Sequence, residues 1–335
     1  MVKKSLCIAL LALTTLSSSA QKKEWFNNVK LSGYGMTQYQ YSDQKGNKSN
    51  SFNLRLFRLV LDGRILNDFY WKAQIQVNGN TSTLGSSPRL VDLFAEWQKY
   101  DYFKVKIGEF KRPFTFDNPL HPIDQGFMGV GQVISKLSGF SDRTGEHPSN
   151  GRDLGLQVQG DFLKNATGRN LLHYQIGVFN GQGINTKDVD QRKDIIGGLW
   201  VMPVEGLRLG VFGWEGSSAR KGNWTDAGVT HTGEVRSLPK HRYALSGEYK
   251  FNDWTLRSEY VHSTGYAFAK ALTNTNSQDP NFTNCEVNTA LGNKADGFYG
   301  LVIAPVIQKK VHVKARYDLY RPTAEWNRSR TQYEV

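Results

Sequence analysis

Cysteine is nearly absent: 335 residues contain two. Cys7 lies in a short apolar run at the N-terminus, and Cys285 in the polar stretch Asn281–Thr289. Once the N-terminal run is removed only Cys285 remains, so no internal disulfide can form. Cys285 reads as a loop thiol, because no His/Asp partnership that would make it a nucleophile stands nearby. Long apolar runs are missing too. After the N-terminus no stretch reaches the roughly 18 apolar residues a spanning helix requires, and mean hydropathy is −0.50. No Ser/His/Asp set can be assembled for an enzyme. His121 and His147 lack metal-ligand spacing, and Gly129-Val130-Gly131 has no strand–helix unit around it to hold a nucleotide. No cofactor is expected. No internal repeat of fixed period occurs. Lys and Arg outnumber Asp and Glu by 42 to 30, a formal charge of +12, but the bases are spread along the chain, which argues against nucleic acid.

What is present is aromatic and alternating. The chain has 15 Tyr, 18 Phe, 8 Trp and 33 Gly. Its first twenty residues form an address: Lys3 and Lys4, the apolar run Leu6–Leu13, then Ser18-Ser19-Ala20 before a cut at Gln21. A signal peptide over 1–20 leaves 21–335 as one domain. Cleavage removes Lys3 and Lys4 and no acid, lowering +12 by two to +10. Beyond it the period is two. In 69–78, Phe69, Trp71, Ala73, Ile75 and Val77 oppose Tyr70, Lys72, Gln74, Gln76 and Asn78. The same alternation runs through 91–98, 103–108, 153–160, 172–179, 207–214, 242–251, 254–262 and 310–320. Less regular strands fall at 29–41, 52–63, 193–202 and 296–307, about thirteen in all, mostly roughly 8–12 residues long. Tyr70, Trp71, Trp97, Tyr100, Trp214, Trp254, Tyr317 and Tyr320 stand near strand ends, as an interfacial girdle requires.

Alternation alone fits a soluble sandwich as well as a membrane barrel. Strand length and the export signal favour an antiparallel up-and-down transmembrane β-barrel. The alternatives are a soluble periplasmic β-protein that binds acidic ligands through its basic faces, and an outer-membrane barrel of another kind. The connections are unequal: short at 64–68, 101 and 252–253, long at 111–152, 216–240 and 263–295.

An ordered set of segments carries a resemblance. It comprises Gly108-Glu109-Phe110-Lys111-Arg112-Pro113-Phe114, Arg152-Asp153-Leu154-Gly155-Leu156-Gln157, the run YQIGVFNGQGIN over 174–185, Lys193-Asp194, Gly206-Leu207-Arg208-Leu209-Gly210 and Ala315-Arg316-Tyr317-Asp318. Together they resemble the phosphate-selective porin O and P family over residues 29–335. The resemblance implies a homotrimeric outer-membrane barrel of about sixteen strands, a lumen lined by bases, phosphate and other small anions as partners besides the lipid bilayer, and a long loop folded inward as a constriction. Arg330–Val335 begins a further alternating strand, so the chain reads as shortened at its C-terminus relative to that family.

Passing anions needs cationic donors on the polar face that bind weakly enough to release. The candidates are Arg58, Lys72, Lys104, Lys106, Arg208, Arg257, Lys314 and Arg316. The loop 111–152 is the candidate constriction, with Lys136, Arg143 and Arg152 as its bases. Each base also has the plainer reading of a solvated or ion-paired wall residue. As a set they outnumber the acids and imply a lumen that attracts anions.

Overall fold

The protein is described from a computed structural model covering residues 26–43, 46, 48–79, 88–272, 283–323 and 331–334. The expected signal peptide lies outside the described residues.

Among the described residues, fourteen strands form one antiparallel sheet in which every strand pairs with its sequence neighbours. They are β1 (Phe26–Ser42), β2 (Ser49–Ile65), β3 (Phe69–Asn78), β4 (Arg89–Tyr100), β5 (Phe103–Lys111), β6 (Arg152–Lys164), β7 (Asn170–Phe179), β8 (Asp194–Val201), β9 (Leu207–Asp226), β10 (Val229–Phe251), β11 (Trp254–Thr264), β12 (Lys294–Ile307), β13 (Val311–Arg321) and β14 (Gln332–Glu334). This up-and-down order follows from local turn chemistry. Asn252 and Asp253 hold positive φ (43° and 72°) between the paired Phe251 and Trp254. Two left-handed residues make the hairpin turn whose twist matches the strands, and Asn and Asp tolerate that conformation best among residues with a Cβ. Ala227 and Gly228 turn the β9–β10 tip in the same way.

The two faces differ as the period of two requires. On one, apolar side chains stand exposed: Phe52 is 85% accessible, Leu31 71%, Ile107 60% and Val313 60%. Ile75 and Val311 are exposed beside them, and Trp71 and Val105 are half-buried on the same face. The other face carries Arg58, Lys72, Asp92, Glu96, Arg242, Arg257 and Glu259, all buried. Aromatic pairs gather at the short turns, with Tyr100 stacked on Tyr102, Phe162 on Tyr174 and Tyr249 on Phe251.

The charged face is the concave one. The β5–β6 loop meets the cavity wall at Arg58 of β2, and its Gly129 carbonyl accepts from Arg316 of β13 at 3.0 Å. Strands at opposite ends of the sheet therefore face each other across one loop.

Three sequence expectations need correction, and a fourth gains detail. Segment 216–240 is not a loop: it is the paired overhang of the β9–β10 hairpin, with Gly216 opposite Lys240. The β5–β6 loop contains a short helix, α1 (Gln132–Leu137). Trp214 and Tyr320 are not girdle residues, being 2% and 3% accessible on the concave face. Cys285 does lie in a loop, but it is fully buried with Trp224, Leu238 and Phe268 under the hairpin overhang.

Candidate functional site

The β5–β6 loop is fixed to the concave face by apolar packing first. Phe114, Phe116, Val133, Ile134, Leu137 and Phe140 are buried against Phe179, Ile196, Phe212, Trp214, Val261, Ala295, Tyr299 and Leu301, which point inward from β7 to β12. Burial of each such side chain contributes about 1.5–3 kcal/mol. The aromatics meet edge to face, as Phe116 does with Trp200 and Phe212, the arrangement their quadrupoles favour. Polar contacts then set the register. Glu259 of β11 accepts from the Phe116 and Asp117 backbone N–H at 2.6 and 3.1 Å. Arg257 donates to Asp117 at 2.8 Å. Arg242 holds Asp142 through both nitrogens at 2.6 Å each, and burial, which would raise the Asp142 carboxyl, is outweighed by that guanidinium, leaving it well below the usual carboxylate range. At the neck, the Asn118 amide donates to the Arg112 and Gly151 carbonyls, joining the loop's two ends.

Ten of the eleven bases singled out from sequence fall into three groups. Most are ion-paired. Lys72 lies 3.2 Å from Asp92, Lys104 3.7 Å from Asp161 and Lys106 3.9 Å from Glu96. Arg208 and Arg257 share Glu248, and Arg208 also lies over the Phe116 ring. Arg152 is the first residue of β6, buried, with Nε 2.7 Å from Asp92. A second group is bound to backbone. Arg143 donates to the carbonyls of Gly265, Gly292 and Pro322, stapling the loop to its neighbours rather than facing a pathway. Arg316 bonds the Gly129 carbonyl and lies over the Phe127 ring at 4.8 Å. The third group is less enclosed: Lys136 is half-buried on α1 and Lys314 is exposed on β13.

Arg58 stands on the β2 wall of a cavity. It is fully buried, donating to Gln76 Oε1 at 2.8 Å and to the Tyr34 hydroxyl at 3.0 Å, both neutral acceptors. It lines a cavity of about 270 Å³ between β2 and the loop, together with Arg55, Lys111, Gln125, Ser135, Ser141 and Asn150. Among the described residues the lining holds three bases and no carboxylate. Lys111 spends two of its three donors on the Asn118 and Leu120 carbonyls, at 2.8 and 2.5 Å. Gln125 is 5% accessible, and its amide nitrogen has no acceptor among the described residues. A buried donor without an acceptor costs about 1–3 kcal/mol, which an acceptor entering the cavity would relieve. Sequence reasoning misses Arg55 and Lys111. Arg55 shares the parity of the outward Phe57-Leu59-Leu61 series, but it is the residue skipped by the register shift between Leu54 and Leu56, opposite Met36 and Thr37.

Two loop histidines carry a pH consequence. Burial, followed by Lys72 and Lys111, pushes His121 down to about 4, and burial followed by Arg89 does the same to His147. Both are neutral in the docked loop at pH 7. Between the ordinary histidine value near 6.5 and about 4, the released loop binds more protons than the docked one. Docking is therefore strongest above the upper value and weakens as pH falls toward the lower. Hydrogen-exchange protection of 112–151, corrected for intrinsic rates, should fall across that window, and fall less after His121→Gln with His147→Gln. Protection that is flat across the window would reject this linkage.

Residues 32–124 match the family model described as phosphate-selective porin O and P. That span runs from β1 through β5 into the loop and includes Arg55, Arg58, Lys72, Lys104, Lys106 and Lys111. No curated protein sequence matches the chain. Among solved structures, an anion-selective porin from Comamonas acidovorans superposes with a TM-score of 0.56 at 15% identity, covering 88% of this chain and 78% of that one. The outer membrane channel DcaP of Acinetobacter baumannii is 12% identical over 90% of this chain and 93% of that one, with a TM-score of 0.41. Residues 32–124 thus match the phosphate-selective porin O and P model, within a sheet that shares the fold of a solved anion-selective porin.

Proposed function

We propose that this protein is an outer-membrane porin through which small anions, phosphate among them, diffuse passively. The observation that carries the reading is the cavity between β2 and the loop, where Arg55, Arg58 and Lys111 converge with no carboxylate among the described lining residues. Cations fixed in a confined space attract an anion along the pathway, and one spare Lys111 donor with the Gln125 amide offers it hydrogen bonds weak enough to break. The ion-paired bases, Lys72, Lys104, Lys106, Arg208, Arg257 and Arg152, make a polar wall around that path. The β5–β6 loop is the constriction, with Lys136, Lys314 and Arg316 adding positive field near it. The chain acts as a channel rather than an enzyme, is exported by residues 1–20, and assembles as a trimer on the family's pattern.

A soluble periplasmic protein is disfavoured by the outer face. Leu31, Phe52, Ile107 and Val313 belong to a continuous apolar band of the kind soluble monomers do not expose; lipid is the solvent it suits. The phosphate assignment is tested in planar bilayers. Chloride current should fall as phosphate is added, because both anions compete for the same cavity. A chloride current indifferent to phosphate would remove phosphate from the reading and leave a general anion path.

A further inference from the structure

Trp214 of β9 is surrounded by charge. Arg112, Lys240 and Arg242 lie over its ring, with their charged centres 4.8, 4.5 and 4.7 Å from the centroid. Its indole Nε1 donates to Asp194 at 2.7 Å. Each of the three cations also meets carboxylates. Arg112 bonds Glu146 and Asp153, both at 2.9 Å. Lys240 lies 3.0 Å from Glu146 and 3.5 Å from Asp194. Arg242 holds Asp142. All of these side chains are buried. Arg112, Asp142 and Glu146 belong to the loop or its neck, whereas Asp153, Asp194, Trp214, Lys240 and Arg242 come from β6, β8, β9 and β10.

Three cations packed on one ring repel each other, and only the interleaved carboxylates hold them there. A buried charge that loses its partner is heavily penalised, so the network has one low-energy arrangement. Two of its four acids travel with the loop. Moving the loop would strip Arg242 of Asp142 and leave Lys240 only Asp194, while Asp142 would lose its guanidinium and Glu146 would keep only Arg112, so small displacements are opposed from both sides.

We propose that the Trp214 cluster positions the β5–β6 loop and thereby fixes the bore of the anion pathway, with Lys240 as its central positioning residue. The proposal rests on the anion-porin reading. It differs from a merely structural role, in which the cluster would only help the sheet fold. Among the described residues Lys240 touches no lining residue of the Arg55–Arg58–Lys111 cavity by hydrogen bond or ion pair, so it acts on passage through the loop.

The test uses Lys240→Met, which keeps the stem and removes the charge, in full-length protein refolded into bilayers. Barrels passing the heat-modifiability check should lose the single steady open level of the parent and show several levels, while the preference for anions persists. Lys240→Arg should restore one level. A cross-link should restore it too. A Cβ on Gly297 of β12 would lie 2.6 and 3.1 Å from the Val133 methyls of α1, so cysteines at the two positions would stand against each other. Val133→Cys with Gly297→Cys, oxidised in the Lys240→Met background, should pin the loop again. Hydrogen exchange over 112–151 reads positioning without any current and should show lost protection in Lys240→Met. Folded Lys240→Met barrels with the parent's steady level and parental loop protection would overturn the proposal. If Lys240→Met does not fold, Trp214→Phe, which keeps a ring and loses the bond to Asp194, takes its place: several levels with lost loop protection support the proposal, and parental behaviour in both overturns it. A parent protein that passes no current would sink the porin reading, and loop exchange in the variant would still decide the positioning role.

Discussion

Replacing Arg55 and Arg58 together by Gln is expected to remove most of the preference for anions. Among the described residues, the lining of the cavity they share with Lys111 holds no carboxylate, so the pair supplies two of its three bases. At an effective dielectric near 20, a unit charge at about 4 Å is worth roughly 4 kcal/mol, and loss of even about 1.4 kcal/mol lowers a permeability ratio by about tenfold. A fall of at least that size is expected in the anion-to-cation ratio from reversal potentials, larger at low salt than at high because screening is weaker there. The matched control is Lys104→Gln with Lys106→Gln. Those lysines stand 3.7 and 3.9 Å from Asp161 and Glu96, so their fields are partly cancelled, and their removal should shift the ratio less. A larger shift from the lysine pair would move the pathway from the β2 wall to the β5 wall.

The second large effect concerns the anchor of the loop. Arg242→Met should weaken loop docking by about 3–5 kcal/mol, because it leaves Asp142 charged and buried without its partner. Both side chains are wholly inaccessible, so solvent cannot take over the guanidinium's part. Thr144 and the Gly139 N–H still bond that carboxylate, but neutral donors replace only a fraction of a bidentate ion pair. Removing both charges, Arg242→Met with Asp142→Leu, should cost less than Arg242→Met alone, since no bare charge remains. The readout is protection of residues 112–151 from proteolysis and hydrogen exchange in folded barrels. If the single and double variants are equally protected, the ion pair does not hold the loop.

The strands are legible in the sequence because alternation is local. Whether Lys72 faces opposite Ile75 is decided by five adjacent residues, and the structure places them so. The hairpin overhang is not legible, for a related reason. Beyond the apolar band, outward positions such as Lys221, Asn223 and Thr225 are polar, so the hydrophobic period vanishes while backbone pairing with β10 continues. A window that sees only polarity reads such a stretch as a loop.

The candidate site is legible in kind and less so in its members. Arg58 stands out because Phe57, Leu59 and Leu61 flank it outward. Arg55 does not, because the register shift near Met36 and Thr37 breaks the parity that would assign its face. Arg112, Lys240, Arg242 and Trp214 escape sequence reasoning for a different reason. Their partners lie far along the chain, as Arg242 is from Asp142 and Lys240 from Glu146, and no local pattern reports such contacts. Trp214 in particular has the sequence setting of a strand-end aromatic bound for the interface. What turns it inward is the loop's apolar face, which covers the concave wall from β7 to β12. Arg143 and Arg152 do belong to the loop and its edge, but carbonyls and Asp92, respectively, already occupy them.

A cationic cavity beside the inner loop makes this chain an anion pathway only if anions carry its current. The zero-current potential of the full-length protein in a planar bilayer, under a potassium chloride gradient, reads that property without any variant. The potential should have the sign set by chloride, with a magnitude that shrinks as salt rises. A potential of the sign set by potassium, or none at all with open channels present, would contradict the anion pathway.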